Sequence, residues 1–364
     1  MLKRRVSLFL PFALVLLLFA CCGISAAEGE LSERERKLRD RTIKQVEEHW
    51  EVVKDPSRSA LVEMIGSRCA ALAERDLAYS FRLLSDDRPN AFTIPGGVIY
   101  VSTGMLDFVR SDDELAAILS HEIVHADKDH VMRQVARNQK LSVASLLLTV
   151  ASGGAAPVAV LSNLIAVAVQ NDYSRDFEQE ADRGSVEILH GAGYSPSATV
   201  TVLERLQEEE VKRPYVDPGV YRTHPRTEER VRDIISYMHD QGLTIERKEP
   251  LGLLVPEVLC SGDACVFRLD GREIWRGPWR PGTKDVLKKL ERAVSQSLQL
   301  ETAPYDIHVI KQGGTERLLI ERTVAVDATD VPPEMAESLG PLRDSLVRAL
   351  QAAKSIHPVA EYFR

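Results

Sequence analysis

Three residues within five positions, His121, Glu122 and His125, carry the most chemistry in this chain. Residues four apart on a helix share one face, one turn above the other. Two imidazole nitrogens at that spacing can reach a single Zn²⁺ at about 2.0–2.1 Å. Zinc lowers the pKa of a bound water toward about 7, and the Glu122 carboxylate, set between the histidines, can take its proton. A catalytic zinc needs a third protein ligand and one open position. The best candidate lies in 174–183, where Glu178 and Asp182 share a helical face and Glu180 points roughly the other way. Glu178 is therefore the expected third ligand, and Asp182 the carboxylate that orients a ligating histidine from behind. His130 stands five residues past His125, about 140° further round a continuous helix. It is expected to support the site, not to bind the metal.

These side chains need elements to hold them. Ser111, with Glu114 three residues later, forms a capping-box signature. Leu115, Ile118 and Leu119 follow at helical spacing, so a helix is expected over 112–137. Upstream, 31–50 and 57–75 have the pattern of amphipathic helices, and 79–84 and 98–102 that of strands. Arg88-Pro89-Asn90 and Pro95-Gly96-Gly97 are turns between those strands. Pro and Gly beside a strand often mark a sheet edge, and an edge can accept an extended peptide as an added strand.

The motifs together resemble one family. Asn90-Ala91-Phe92-Thr93-Ile94-Pro95-Gly96-Gly97, Thr103-Gly104-Met105-Leu106, Asp113-Glu114-Leu115-Ala116, the His121–His125 motif, Ser174-Arg175 with Glu178 and Ala181-Asp182, and His224-Pro225 with Arg230 occur in its order. It is the zinc metallopeptidase family that contains the HtpX-type heat-shock protease, the CAAX prenyl endopeptidase and the periplasmic BepA-type protease. The resemblance covers roughly 31–242. It implies one Zn²⁺ held by His121, His125 and Glu178, with Glu122 as general base. It also implies that His224 faces the zinc with Arg230 beside it, as a plug on the metal or as an oxyanion donor. The strand after Pro95-Gly96-Gly97 is the expected substrate platform, which names Asn90, Gly97, Val98, Ile99 and Tyr100 as substrate-binding residues. The expected fold is α+β and mainly helical: a zincin-like metalloprotease domain with a small sheet over 28–243, then a small α+β domain over 244–364.

At 364 residues the chain exceeds the size at which a single hydrophobic core stays economical. A net charge of −8 argues against nucleic acid as a partner, because phosphate binding wants a basic stripe. Lys3, Arg4 and Arg5, the apolar run 8–22 and Ser25-Ala26-Ala27 read as a signal peptide over 1–27. Leu18-Phe19-Ala20-Cys21 also resembles a lipobox, so an exported protein that is soluble, or anchored through lipidated Cys21, is expected in the periplasm or envelope. The uncharged stretch 141–169 reads as two short buried helices broken at Gly153-Gly154 and Pro157, with a membrane-touching hairpin as the alternative. Polypeptides are the expected substrates.

Cys260 and Cys265 flank a turn-like stretch and can form a small disulfide, while Cys69 sits in an apolar helical pattern as a core thiol. Beyond residue 244, Asp270-Gly271 marks a hairpin, 283–298 a helix, 305–311 and 318–324 strands around Gly313-Gly314, and 332–353 a last helix. No repeat period is visible there. The expected function is a zinc endopeptidase of the cell envelope that degrades misfolded or misassembled proteins. A zinc-dependent chaperone or assembly factor with latent peptidase activity is the competing class, and the intact Glu122 favours the enzyme.

Overall fold

The computed structural model describes residues 31–134, 136–137, 173–212, 227–331, 333–337 and 339–357. Residues 1–27, expected to be a signal peptide, with Cys21, the stretch 141–169 and His224 lie outside them. No helix among the described residues is long and apolar enough to cross a membrane.

Helix α1 (Glu33–His49) starts where the Ser32 side chain accepts the Glu35 N–H, and α2 (Pro56–Ala70) where Asp55 accepts two N–H groups ahead of a first-turn proline. Strands β1 (Ser80–Leu84), β2 (Ala91–Ile94) and β3 (Val98–Ser102) form one sheet in the order β1-β3-β2. β3 runs parallel to β1 and antiparallel to β2.

This order corrects the expected platform. Val98, Ile99 and Tyr100 lie in the central strand, and every residue of β3 is buried. The chain turns back through Gly96 and Gly97, both at positive φ where only glycine is unstrained, so β2 covers one side of β3 and β1 the other. The edge on that side is β2. Its four residues show no alternation between apolar and polar, and so give no strand signal in the sequence.

After α3 (Thr103–Phe108), Ser111 caps α4 (Asp112–Asp127) by accepting the Glu114 N–H at 3.2 Å. The helix is interrupted where the sequence pattern runs on to 137. Asp129 takes φ 54°, and helical conformation resumes at 130–134. Aspartate tolerates the left-handed region better than most side chains, so nothing in the apolar pattern announces the break. Helices α5 (Arg175–Ala192), α6 (Ser197–Lys212) and α7 (Thr227–Asp240) complete this half. Its core joins Ile99 and Val101 of the sheet to Leu115, Leu119 and Ile123 of α4, Leu189 of α5 and Met238 of α7.

A separate core forms downstream of the short α8 (Lys248–Leu251). Strands β4 (Pro256–Ser261), β5 (Ala264–Leu269) and β6 (Arg272–Pro278) make one antiparallel sheet, followed by α9 (Thr283–Ser297). Strands β7 (Ile307–Gln312), β8 (Thr315–Ile320) and β9 (Thr323–Asp327) make another, followed by α10 (Pro333–Ala336) and α11 (Leu339–Ile356). The expected strand over 318–324 is two strands, split at Glu321, which takes φ 55°.

The two sheets are copies of one plan, although the sequence shows no period. Their strands open at Pro256 and Ile307, Ala264 and Thr315, Arg272 and Thr323, each 51 residues after its counterpart. The bulge between Phe267 and Arg268 recurs between Leu318 and Leu319. The turn donor from Asp270 N–H to Val255 O recurs from Glu321 N–H to Asp306 O. Helix α9 packs on β4 and β5 of its own sheet and on β9 of the other; α11 packs on β7 and β8 and on β6 of the other. Cys260 and Cys265 face each other across β4 and β5 and are disulfide-bonded.

Candidate metal centre

Helices α4 and α5 lie against each other, and Gly184 allows the approach: a Cβ there would stand 2.8 Å from Val124 Cγ2. The contact brings one carboxylate face of α5 onto the histidine face of α4. His121 Nε2 and His125 Nε2 are 3.0 Å apart. Glu178 Oε1 is 3.4 Å from His125 Nε2, and its Oε2 is 3.7 Å from His121 Nε2. All three residues are buried, and they form the one group among the described residues arranged to hold a metal ion. Glu122, also buried, lies on the same stretch of α4.

The outer nitrogens fix which inner ones are available. His121 Nδ1 lies 3.0 Å from Asp182 Oδ1, and a carboxylate accepts, so the ring proton belongs on Nδ1. His125 Nδ1 lies 2.9 Å from His130 Nδ1, and His130 Nε2 lies 3.0 Å from Glu180 Oε2. The carboxylate places His130's proton on Nε2, which leaves its Nδ1 to accept from His125 Nδ1–H. Both metal-facing Nε2 atoms then present lone pairs to one point, with a carboxylate beside them. Two imidazoles and a carboxylate with one position left over are the donor set of a catalytic zinc, so the residues fit the ion.

Charge is balanced from α7. Arg230 donates from Nε and Nη2 to Asp182 at 2.9 and 2.7 Å, and its Nη1 stands 3.0 Å from Glu178 Oε2. Burial alone would raise the Asp182 carboxyl, but the Arg230 guanidinium outweighs it and holds the group at about 2. Burial opposes the charge on Arg230 as well, and Asp182 and Glu178 more than restore it. Arg230 thus clamps the ligand carboxylate and its neighbour from behind, a task that the oxyanion role expected from the resemblance did not include. Glu180 stands outside the group formed by His121, His125 and Glu178 and binds His130 and Arg133.

Sequence patterns missed the surroundings of the centre. His125 stacks on Tyr173 at 4.1 Å between ring centroids, and His130 on Phe177 at 4.5 Å. A small apolar cleft, lined in part by Ala91, Ile118, Val202, Leu203 and Leu206, opens beside His121 and Glu122. The 3.6-residue apolar spacing of α6 was the available signal for its share of that wall.

Comparison with known proteins agrees with this geometry. A β-barrel assembly-enhancing protease of Yersinia pestis is 29% identical over 223 residues, which cover 58% of this chain and 45% of that protein. The protein of that description from Escherichia coli K12 is 28% identical over 223 residues. The mitochondrial metalloendopeptidase OMA1 of Schizosaccharomyces pombe is 29% identical over 164 residues, 45% of this chain and 48% of its own length. The chain spans about half the length of these curated relatives. Residues 56–237, half of the 364-residue sequence, match the peptidase family M48 model. Since that match takes in all three ligands and the Arg230 clamp, the chain belongs to peptidase family M48.

Proposed function

We propose that this protein is a zinc-dependent endopeptidase of the cell envelope that removes misfolded or misassembled proteins. The observation that carries the reading is the convergence of His121, His125 and Glu178 on one point, with the buried Glu122 on the same helix. Bound zinc supplies Lewis acidity, polarising a carbonyl and bringing the pKa of a water toward about 7. The chain's own residues do the rest. His121, His125 and Glu178 hold the ion, and Asp182 and Arg230 fix two of those ligands. Glu122 takes a proton from the attacking water and delivers it to the leaving amine. Its burial keeps that carboxylate out of bulk solvent, where proton transfer would be unselective.

The platform for the substrate backbone is β2, the edge on the side of the cleft, and Ala91 lines that cleft with His121 and Glu122. Asn90, just before β2, has a buried Oδ1 with no hydrogen-bond partner among the described residues and suits a substrate N–H. His224 lies outside the described residues, and the plug and oxyanion-donor roles implied for it by the resemblance both stay open. Export is supported by the signal-like 1–27 and by the relatives named for β-barrel assembly. The unit over 244–364 serves docking, substrate selection or assembly. Metal analysis combined with a casein-type degradation assay tests the reading. Wild type is expected to carry one zinc and degrade substrate; Glu122→Gln is expected to keep the zinc and lose at least about 10²-fold in rate. Equal proteolysis by the two proteins refutes the mechanism.

A further inference from the structure

We propose that His130 and Glu180 act as a positioning relay for the metal ligand His125, setting which of its ring nitrogens faces the ion. This inference rests on the reading of the site as a zinc centre. The broken end of α4 makes the relay possible. On a continuous helix, His130 would project about 140° away from His125. The left-handed residue Asp129 resets the direction of the chain, and His130 returns to lie 2.9 Å from His125, ring nitrogen to ring nitrogen. A non-glycine residue held at positive φ beside a functional centre is a feature to be explained, and the relay explains it.

The direction of the relay follows from its far end. Glu180 only accepts, so the proton on His130 sits on Nε2 at 3.0 Å from the carboxylate. His130 Nδ1 is left as an acceptor, His125 Nδ1 becomes the donor, and His125 Nε2 presents its lone pair to the point it shares with His121 and Glu178. Asp182 does the same for His121 in one step; His125 needs two, because its outer nitrogen faces an imidazole. Both rings of the relay are fully buried and each is stacked on an aromatic side chain, Tyr173 for His125 and Phe177 for His130. The stacking holds both ring planes in place for these contacts. Arg133 completes the far end, with Nη1 3.2 Å from Glu180 Oε2 and its guanidinium over the Phe177 ring.

Zinc affinity, measured by competition with a chromophoric chelator, tests the relay apart from proteolysis. His130→Phe keeps a flat ring and removes the acceptor; it is expected to weaken zinc binding about 10- to 100-fold, the usual effect of losing an outer partner of a ligating histidine. His130→Gln places an amide oxygen where Nδ1 stood and is expected to recover most of that loss. If His130→Phe binds zinc as tightly as wild type, or if His130→Gln binds as weakly as His130→Phe, the relay is refuted; in the second case ring packing alone is what His130 supplies. Should His130→Phe fail to fold, nitrogen NMR of the zinc-loaded wild type decides: a proton on His130 Nε2 and a bare Nδ1 are expected, and a proton on Nδ1 overturns the proposal. Failure of wild type to bind one zinc would instead overturn the reading of the site.

Discussion

Replacing Asp182 with Asn separates the two tasks of that carboxylate. One oxygen accepts from His121 Nδ1 and Arg230 Nη2, and the other accepts from Arg230 Nε. An Asn amide has one acceptor and one donor end, so one of these positions must meet an NH₂ group. With the amide nitrogen toward Arg230 Nε, two donors face each other in a buried site. That loses a charge-assisted bond, about 1.5–3 kcal/mol, whether or not metal is bound. With the amide turned the other way, its NH₂ donates to His121 Nδ1 and drives the ring proton onto the nitrogen that must face the ion. Either way His121 loses its charged acceptor, and zinc affinity is expected to fall about 10- to 100-fold. Urea unfolding of the metal-free protein reads the first effect, and chelator competition reads the second. Lower stability with zinc affinity within about twofold of wild type would refute the orienting role, because about 1.4 kcal/mol accompanies each tenfold change. In wild type the carboxyl lies near 2, below its unfolded value, so its contribution to stability is complete above about pH 4 and is lost as pH falls through 2.

Gly184→Ala is expected to cost stability and zinc together: helix propensity gains about 1 kcal/mol, but the new Cβ meets the stiff Val124 side chain at 2.8 Å and overpacking costs about 1–3 kcal/mol; calorimetry with metal analysis checks both, and unchanged zinc content would show that α5 tolerates the shift. Arg247 binds Glu204 of α6 through Nε and Nη2 and Glu301 through Nη1. Arg247→Met is expected to lose about 3 kcal/mol, the lower end for a broken buried pair, and to loosen the α6 wall of the cleft, read as a rise in KM. Burial would raise the Glu204 carboxyl, but His357 and Arg247 hold it below its usual range. Its contribution is therefore present above about pH 4.3 and is lost as pH falls through the lower folded value, which a series of urea midpoints between pH 3 and 6 would show.

Much of the centre was legible because its parts are short-range. The spacing of His121, Glu122 and His125 needs only a helix, and the shared face of Glu178 and Asp182 needs only another. What a helical period cannot express is an interruption. His130 was placed away from His125 on the assumption of an unbroken helix, and a single left-handed residue, Asp129, reverses that result. The sheet failed for a different reason. Strand order is a long-range property, and the parallel pairing of β1 with β3 across the β2 hairpin leaves no trace in local alternation. In the downstream unit, the Asp270-Gly271 hairpin was visible, whereas its twin at Glu321 was not, because that turn uses a residue that normally avoids positive φ.

That twin has a bearing on the disulfide. A shift of 51 residues carries Cys260 and Cys265 onto Lys311 and Glu316, which are cross-strand partners just as the cysteines are. One hairpin is tied by a covalent bond, whereas the same rung of its counterpart sets a lysine opposite a glutamate. Since each helix spans both sheets, neither half can bury its apolar face alone; the unit is built like a homodimer fused into one chain. The half without a disulfide serves as an internal control for the half that has one. A reducing environment would make the covalently tied hairpin resemble its sibling and leave the shared core in place.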